Sequence, residues 1–135
     1  VMDGHFVPNI TFGQCVIKSL RKHTKICFDT HLMIQYPKKY VKSFSNAGAD
    51  VITFHIEPVN PADVIYILKS IKKLGRKTGL SVNPQTPISR VYKYMPMLDL
   101  VLIMSVEPGF GGQSFLTEPN WAIISSERSR GCDVT

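Results

Sequence analysis

The chain has 135 residues, 44% of them hydrophobic, and a formal net charge of +6, enough for one domain with a real core and with no low-complexity run to divide it. No run of about 18 apolar residues offers a membrane span, and no basic segment leads into an apolar one at the amino end, so no membrane contact is expected and a cytoplasmic setting is. Cys15, Cys27 and Cys132 are odd in number and form no CxxC pair, which reads as ordinary thiols rather than a disulfide framework or a cysteine zinc site.

In chain order, the first periodic segment starts near Gln14 and carries Val16, Ile17 and Leu20 on one helical face. Residues 26–33 then form a short apolar run of strand length. A second helix follows Pro37, with Tyr40, Val41, Phe44 and Ala47 on one side and Gly48 to stop it. Residues 51–57 read as the next strand. The third helix has the fullest signature, with Asn60 as cap, Pro61 in its first turn, Val64, Ile65, Leu68, Ile71 and Leu74 as its apolar stripe, and Gly75 at its end. Strands at 78–82 and 98–106 flank a weaker helix after Pro87. The basic residues cluster where the first and third helices end, as Lys18, Arg21, Lys22 and Lys25, then Lys69, Lys72, Lys73, Arg76 and Lys77. Cations there complement the helix dipole and face solvent, and no aromatic residues interleave to stack bases, so nucleic acid is not the expected partner.

Strands alternating with helices over short connections specify α/β architecture with a parallel sheet. Two forms fit, an open doubly wound sheet that this length could complete and a (β/α)8 barrel that needs about 200 residues or more. Neither GxGxxG nor GxxxxGK[ST] is present to favour the first. In both, ligands bind at the carboxyl ends of the strands. Those ends hold Met2 and Asp3, then Asp29, His31 and Met33 at alternate positions on one strand face, then His55 and Glu57, then Asn83, and finally the loop from Met104 to Gln113. Gly109, Gly111 and Gly112 in that loop would let backbone N–H groups approach an anion, and a ligand-free tight turn is the competing reading.

The segment Val1-Met2-Asp3-Gly4-His5-Phe6-Val7-Pro8-Asn9-Ile10-Thr11-Phe12-Gly13 resembles the D-V-M-D-G-x-F-V-P-N-x-x-F-G signature of ribulose-phosphate 3-epimerases. His31-Leu32-Met33, Thr53-Phe54-His55-Ile56-Glu57 and the stretch from Met104 to Phe115 resemble, in order and spacing, that family's H-L-M, T-F-H-x-E and M-x-V-E-P-G-F-G-G-Q-x-F segments. The resemblance implies a (β/α)8 barrel of the ribulose-phosphate-binding type, with about five of eight strands here. It implies interconversion of D-ribulose 5-phosphate and D-xylulose 5-phosphate in the pentose phosphate pathway, and a divalent metal, zinc or iron with manganese or cobalt as alternatives. It matches His31 to a metal ligand, Met2, Met33 and Met104 to a sulfur cap, and Gly111, Gly112, Gln113 and Ser114 to the substrate-contacting loop. A related ketose-6-phosphate epimerase and a non-catalytic binding product are the alternatives, and a homodimer is a possible assembly.

Two catalytic aspartates of the family have no counterpart. One belongs to an H-x-D segment that would precede Val1 and the other to a V-D-G-G strand that does not occur, so no catalytic residue is assigned and this exact chain is expected to be inactive, with metal weakly held or absent. Asp3 is not a substitute and is expected to make local hydrogen bonds. Residues 1–116 are read as partial barrel and 117–135 as a tail unlike the family.

Overall fold

The structure is a computed structural model that describes residues 1–114 and 116. Four strands, β1 (Asp29–Leu32), β2 (Val51–His55), β3 (Lys77–Val82) and β4 (Leu100–Ile103), form one sheet in the order β1-β2-β3-β4. All neighbours are parallel, with Asp29 opposite Val51, Val51 opposite Lys77 and Gly79 opposite Leu100. Helices α1 (Gln14–Arg21), α2 (Pro37–Ala47), α3 (Pro61–Lys73) and the single turn α4 (Ser89–Tyr92) alternate with the strands. About five strands are expected from the sequence and four are present among the described residues. The fifth position holds an isolated parallel bridge between Met2 and Met33, too short to count as a strand.

Strand parity decides between the two architectures. Leu32, Ile52, Phe54, Leu80 and Val82 point to one side of the sheet and join Ile17, Val41, Phe44, Val64, Leu68, Ile71, Val91 and Tyr94 in a single buried cluster, so all four helices pack on that side. The alternate residues, His31, Thr53, His55, Gly79 and Ser81, face the other way. A doubly wound sheet reverses its strand order at a switch point and carries helices on both faces. This sheet is wound in one direction with one helical layer, which is the wall of a (β/α)8 barrel.

Each helix is delimited by its local chemistry. The Asn60 Oδ1 accepts the Asp63 N–H at 2.9 Å, capping α3, while Asn60 Nδ2 donates to Asp63 Oδ2 at 2.7 Å. Asn60→Ala is expected to cost about 1 kcal/mol of stability, read as a lower urea midpoint with an unchanged slope. Asn60→Asp should not restore it fully, because a carboxylate keeps the cap but faces Asp63 with like charge. The helix after Pro87 is short because Pro96 lies within the following 3₁₀ turn at Met95–Met97, where it has no N–H to continue a helix.

Three readings made from the sequence need correction. Arg21 is not a freely solvated charge. Its Nη1 donates to Asp50 Oδ2 at 2.6 Å and to the Gly48 carbonyl at 3.2 Å, its Nη2 donates to the Thr24 carbonyl at 3.2 Å and to that of Ile26, and its guanidinium lies 3.7 Å from the Phe28 ring centroid. The same Asp50 oxygen accepts the Phe28 N–H at 2.8 Å. A planar fork satisfies these acceptors together and an ammonium cannot, so Arg21→Lys is expected to lose about 2 kcal/mol in urea unfolding. Stability equal to the parent would show that these bonds are exchanged for water at no cost. Of the cysteines, Cys15 is the free thiol expected, and exposed, whereas Cys27 is disulfide-bonded. The strand expected at 26–33 begins only at Asp29, since the ladder with β2 starts there and Ile26 lies outside it, 68% exposed. Among the described residues, no helix is long and apolar enough to cross a membrane.

Candidate active site at the carboxyl ends of the strands

Parallel register brings the strand ends to one rim. His31 is the third residue of β1 and His55 the last of β2, on the face opposite the helices. His31 Nε2 lies 2.8 Å from His55 Nε2, and the rings stack with centroids 4.8 Å apart at 20°. Phe6 lies against the same histidine, 4.8 Å between centroids at 46°. His55 Nδ1 is 3.2 Å from Glu57 Oε2, and Glu57 Oε1 accepts the Asn83 N–H at 2.7 Å. A continuous polar chain thus runs from β1 across β2 to the residue after β3.

The electrostatics follow from burial. His31 is pushed down to about 3 from an ordinary 6.5, by burial above all, then by the neighbouring His55 and the Val1 ammonium, so its imidazole is neutral at physiological pH. Burial pushes the Glu57 carboxyl up, but hydrogen bonds from His55, Thr86 and the Asn83 N–H outweigh it and hold it below the usual range. Asp3 makes the expected local bonds and one distant bond. Its Oδ1 accepts the N–H groups of His5 and Phe6 at 2.9 and 3.0 Å, and its Oδ2 accepts that of Gln35 at 2.8 Å.

Of the residues singled out from the sequence, Met2 and Met33 are brought together by their bridge, both half-buried. Met104 follows β4 at the far side of the sheet, its N–H bonded to the Val82 carbonyl at 3.0 Å. The glycine loop is tied to the amino-terminal segment by a hydrogen bond from Asn9 Nδ2 to the Gly109 carbonyl. Gly111, Gly112, Gln113 and Ser114 are exposed on it. The Gln113 amide donates back to the Glu107 and Phe110 carbonyls at 2.7 and 2.9 Å, so this side chain braces its own loop.

Among the described residues, no group of three or more His, Cys, Asp or Glu side chains is placed to hold a metal ion. His31 has one imidazole neighbour, and the Nε2 atoms share a hydrogen bond at a separation shorter than the roughly 3.3 Å implied by two bonds of about 2.0–2.1 Å to one tetrahedral zinc. The described residues therefore do not make a metal site by themselves. The sequence signal for the His31–His55–Glu57 chain was the alternation of polar residues on two strands, and the Asn83 contribution carried none because it is a backbone N–H.

The model of the ribulose-phosphate 3 epimerase family matches residues 1–127, running past residue 116, where the motif resemblance ends. Ribulose-phosphate 3-epimerase of Synechocystis is 49% identical over 118 residues, covering 87% of this chain and 51% of that protein. The cytoplasmic isoform of rice is 49% identical over 121 residues, covering 87% and 53%. The Rhodospirillum rubrum enzyme is 46% identical over 134 residues, covering 98% and 59%. The chain thus spans about half the length of the curated relatives it matches. With a family match over nearly all its residues and a singly wound parallel sheet, the chain belongs to the ribulose-phosphate 3-epimerase family.

Proposed function

We propose that the protein bearing this chain is an isomerase that interconverts D-ribulose 5-phosphate and D-xylulose 5-phosphate by proton transfer at C3. The observation that carries this reading is the collinear set of family-like segments whose residues, His31, Met2, Met33, Met104 and the 109–113 loop, all occupy the carboxyl-end rim of one parallel sheet. The C3 proton is acidified by the adjacent ketone, and inversion requires its removal from one face and its return from the other. Those transfers fall to the two aspartates that the resemblance implies, neither of which is among these residues. Glu57 is not a replacement, since both its oxygens are engaged by protein donors.

The described residues contribute the surroundings of that chemistry. In this reading His31 offers one neutral imidazole to a divalent cation, zinc or iron with manganese or cobalt as alternatives, the methionines give an apolar, polarisable roof, and Gly111, Gly112, Gln113 and Ser114 meet the phosphate end of the substrate. A divalent cation held there, with ligands beyond the described residues, would supply a Lewis acid for the C2 oxygen of the substrate. A cytoplasmic location is part of the proposal, supported by the likeness to the rice cytoplasmic isoform. A chloroplastic relative from Arabidopsis is 49% identical, so localisation of a tagged copy is the check.

The deciding experiment offers the intact protein each ketopentose phosphate in deuterated water and follows exchange at C3 by proton NMR. Deuterium entering C3 of both ketopentose phosphates, with their interconversion, is the expected result. Turnover confined to a ketohexose 6-phosphate would transfer the assignment to the sister epimerases, and no exchange in any of them would end it.

A further inference from the structure

The implied chemistry gives no task to His55 or Glu57, yet both are held from several sides at the rim. His55 is completely buried, lies between the rings of His31 and Phe6, and has both ring nitrogens engaged. Glu57 is held from two sides, by the Asn83 N–H at 2.7 Å and by His55 Nδ1 at 3.2 Å. Its hydrogen bonds keep the carboxyl below the usual range despite burial, so it is an ionised group that can only accept.

That constraint propagates along the chain. An acceptor at Glu57 Oε2 requires a proton on His55 Nδ1, and a ring that carries that proton alone keeps its lone pair on Nε2. Two lone pairs cannot face each other at 2.8 Å, so with that tautomer at His55 it is His31 that presents Nε2–H. We propose that Glu57 is a positioning residue: acting through the Nδ1–H tautomer of His55, it sets which nitrogen of His31 carries the proton and holds that ring in the rim. The arrangement is the same in kind as the carboxylate–histidine pairs that orient active imidazoles elsewhere, where loss of the carboxylate costs about 10- to 100-fold. Only its consequence for turnover rests on the epimerase reading.

The test uses the intact protein with 15N-labelled histidine, treated with chelator at neutral pH, and reads the imidazole tautomers from long-range 1H–15N correlations. The unaltered protein should show His55 protonated at Nδ1 and His31 at Nε2. In Glu57→Gln the side-chain amide can donate to His55 Nδ1, so His55 should move toward the Nε2–H form and the His31 tautomer should change with it. A His31 tautomer unchanged in a folded Glu57→Gln protein overturns the proposal. So does an unaltered protein with His55 protonated at Nε2, a result that decides the matter even if the variant does not fold. With ketopentose phosphate, Glu57→Gln should lower kcat by about 10-fold or more and leave KM within about twofold. Absence of turnover in the unaltered protein would count against the epimerase reading alone, because the tautomers are read without substrate.

Discussion

Replacing Gly79 with alanine is expected to destabilise the protein by about 3 kcal/mol, against the direction that strand propensity alone would give. Gly79 sits in the middle of β3, opposite Thr53 of β2 and on the inner face. A Cβ built there falls far inside van der Waals contact of Thr53 Oγ1, 2.8 Å from its Cβ and 3.0 Å from its Cα. Side-chain rotation can move the hydroxyl but not the other two atoms, so the strands themselves would have to separate. Thr53 is fully buried and its hydroxyl donates to Asp29 Oδ1 at 3.3 Å, which leaves it a reason not to rotate.

The same geometry specifies how the effect should be relieved. In a Thr53→Ala background the hydroxyl clash is gone while the 2.8 Å contact with Cβ remains, so the cost of Gly79→Ala should fall only in part. In a Thr53→Gly background it should fall further, leaving the 3.0 Å approach to backbone. Urea midpoints for the two double-mutant cycles measure this coupling directly. An equal cost of Gly79→Ala in all three backgrounds would show that the loss has another origin. Gly48 is strained differently, since φ is +109° and an added Cβ would also meet Arg21 Cδ at 2.6 Å, so no partner substitution should rescue it.

Local chemistry made α3 readable from sequence, because Asn60, Pro61 and Gly75 act on their own neighbours and the apolar stripe needs only the helical period. The strands were readable in their order along the chain but not in their lengths or ends. Residue 26 belongs to an apolar run, yet pairing is decided by where β2 begins, at Val51, and Asp29 is the residue opposite it. The site divides in the same way. His31, His55 and Glu57 could be placed at strand ends because alternate residues share a face. Their joining could not be read, because the 2.8 Å bond between His31 and His55 depends on the register of two strands 24 residues apart along the chain. Arg21 illustrates the limit most plainly. Its partner Asp50 lies 29 positions later, and a basic residue in the last turn of a helix looks the same from sequence whether it is solvated or buried in acceptors.

Stability of the chelator-treated protein should fall as the pH is lowered from about 6.5, and His31 should be responsible for the first part of the fall. Its folded pKa is about 3 and its ordinary value 6.5. A depressed histidine pKa means that the unfolded chain takes up the proton first, so between these values the unfolded state binds more protons and stability rises with pH. The contribution is therefore complete above 6.5 and is lost progressively as the pH falls towards 3. At about 1.4 kcal/mol per pH unit, the full window is on the order of 5 kcal/mol. Glu57 acts in the same direction but lower down. Its folded pKa is depressed from 4.5, so the stability it gives is present above that value and is lost as the pH falls through the folded one. Urea unfolding at pH 6.5, 6.0, 5.5 and 5.0 lies above the Glu57 window, and Asp29, whose carboxyl burial raises from 3.8, acts in the opposite direction, so a fall over this range reads the histidine. His31→Gln, whose amide can still donate to His55 Nε2, should flatten the slope there, whereas a slope unchanged by that substitution would place the acid sensitivity on another group. Both effects act in the polar chain that joins β1, β2 and the residue after β3, where a neutral imidazole and an ionised carboxylate flank His55.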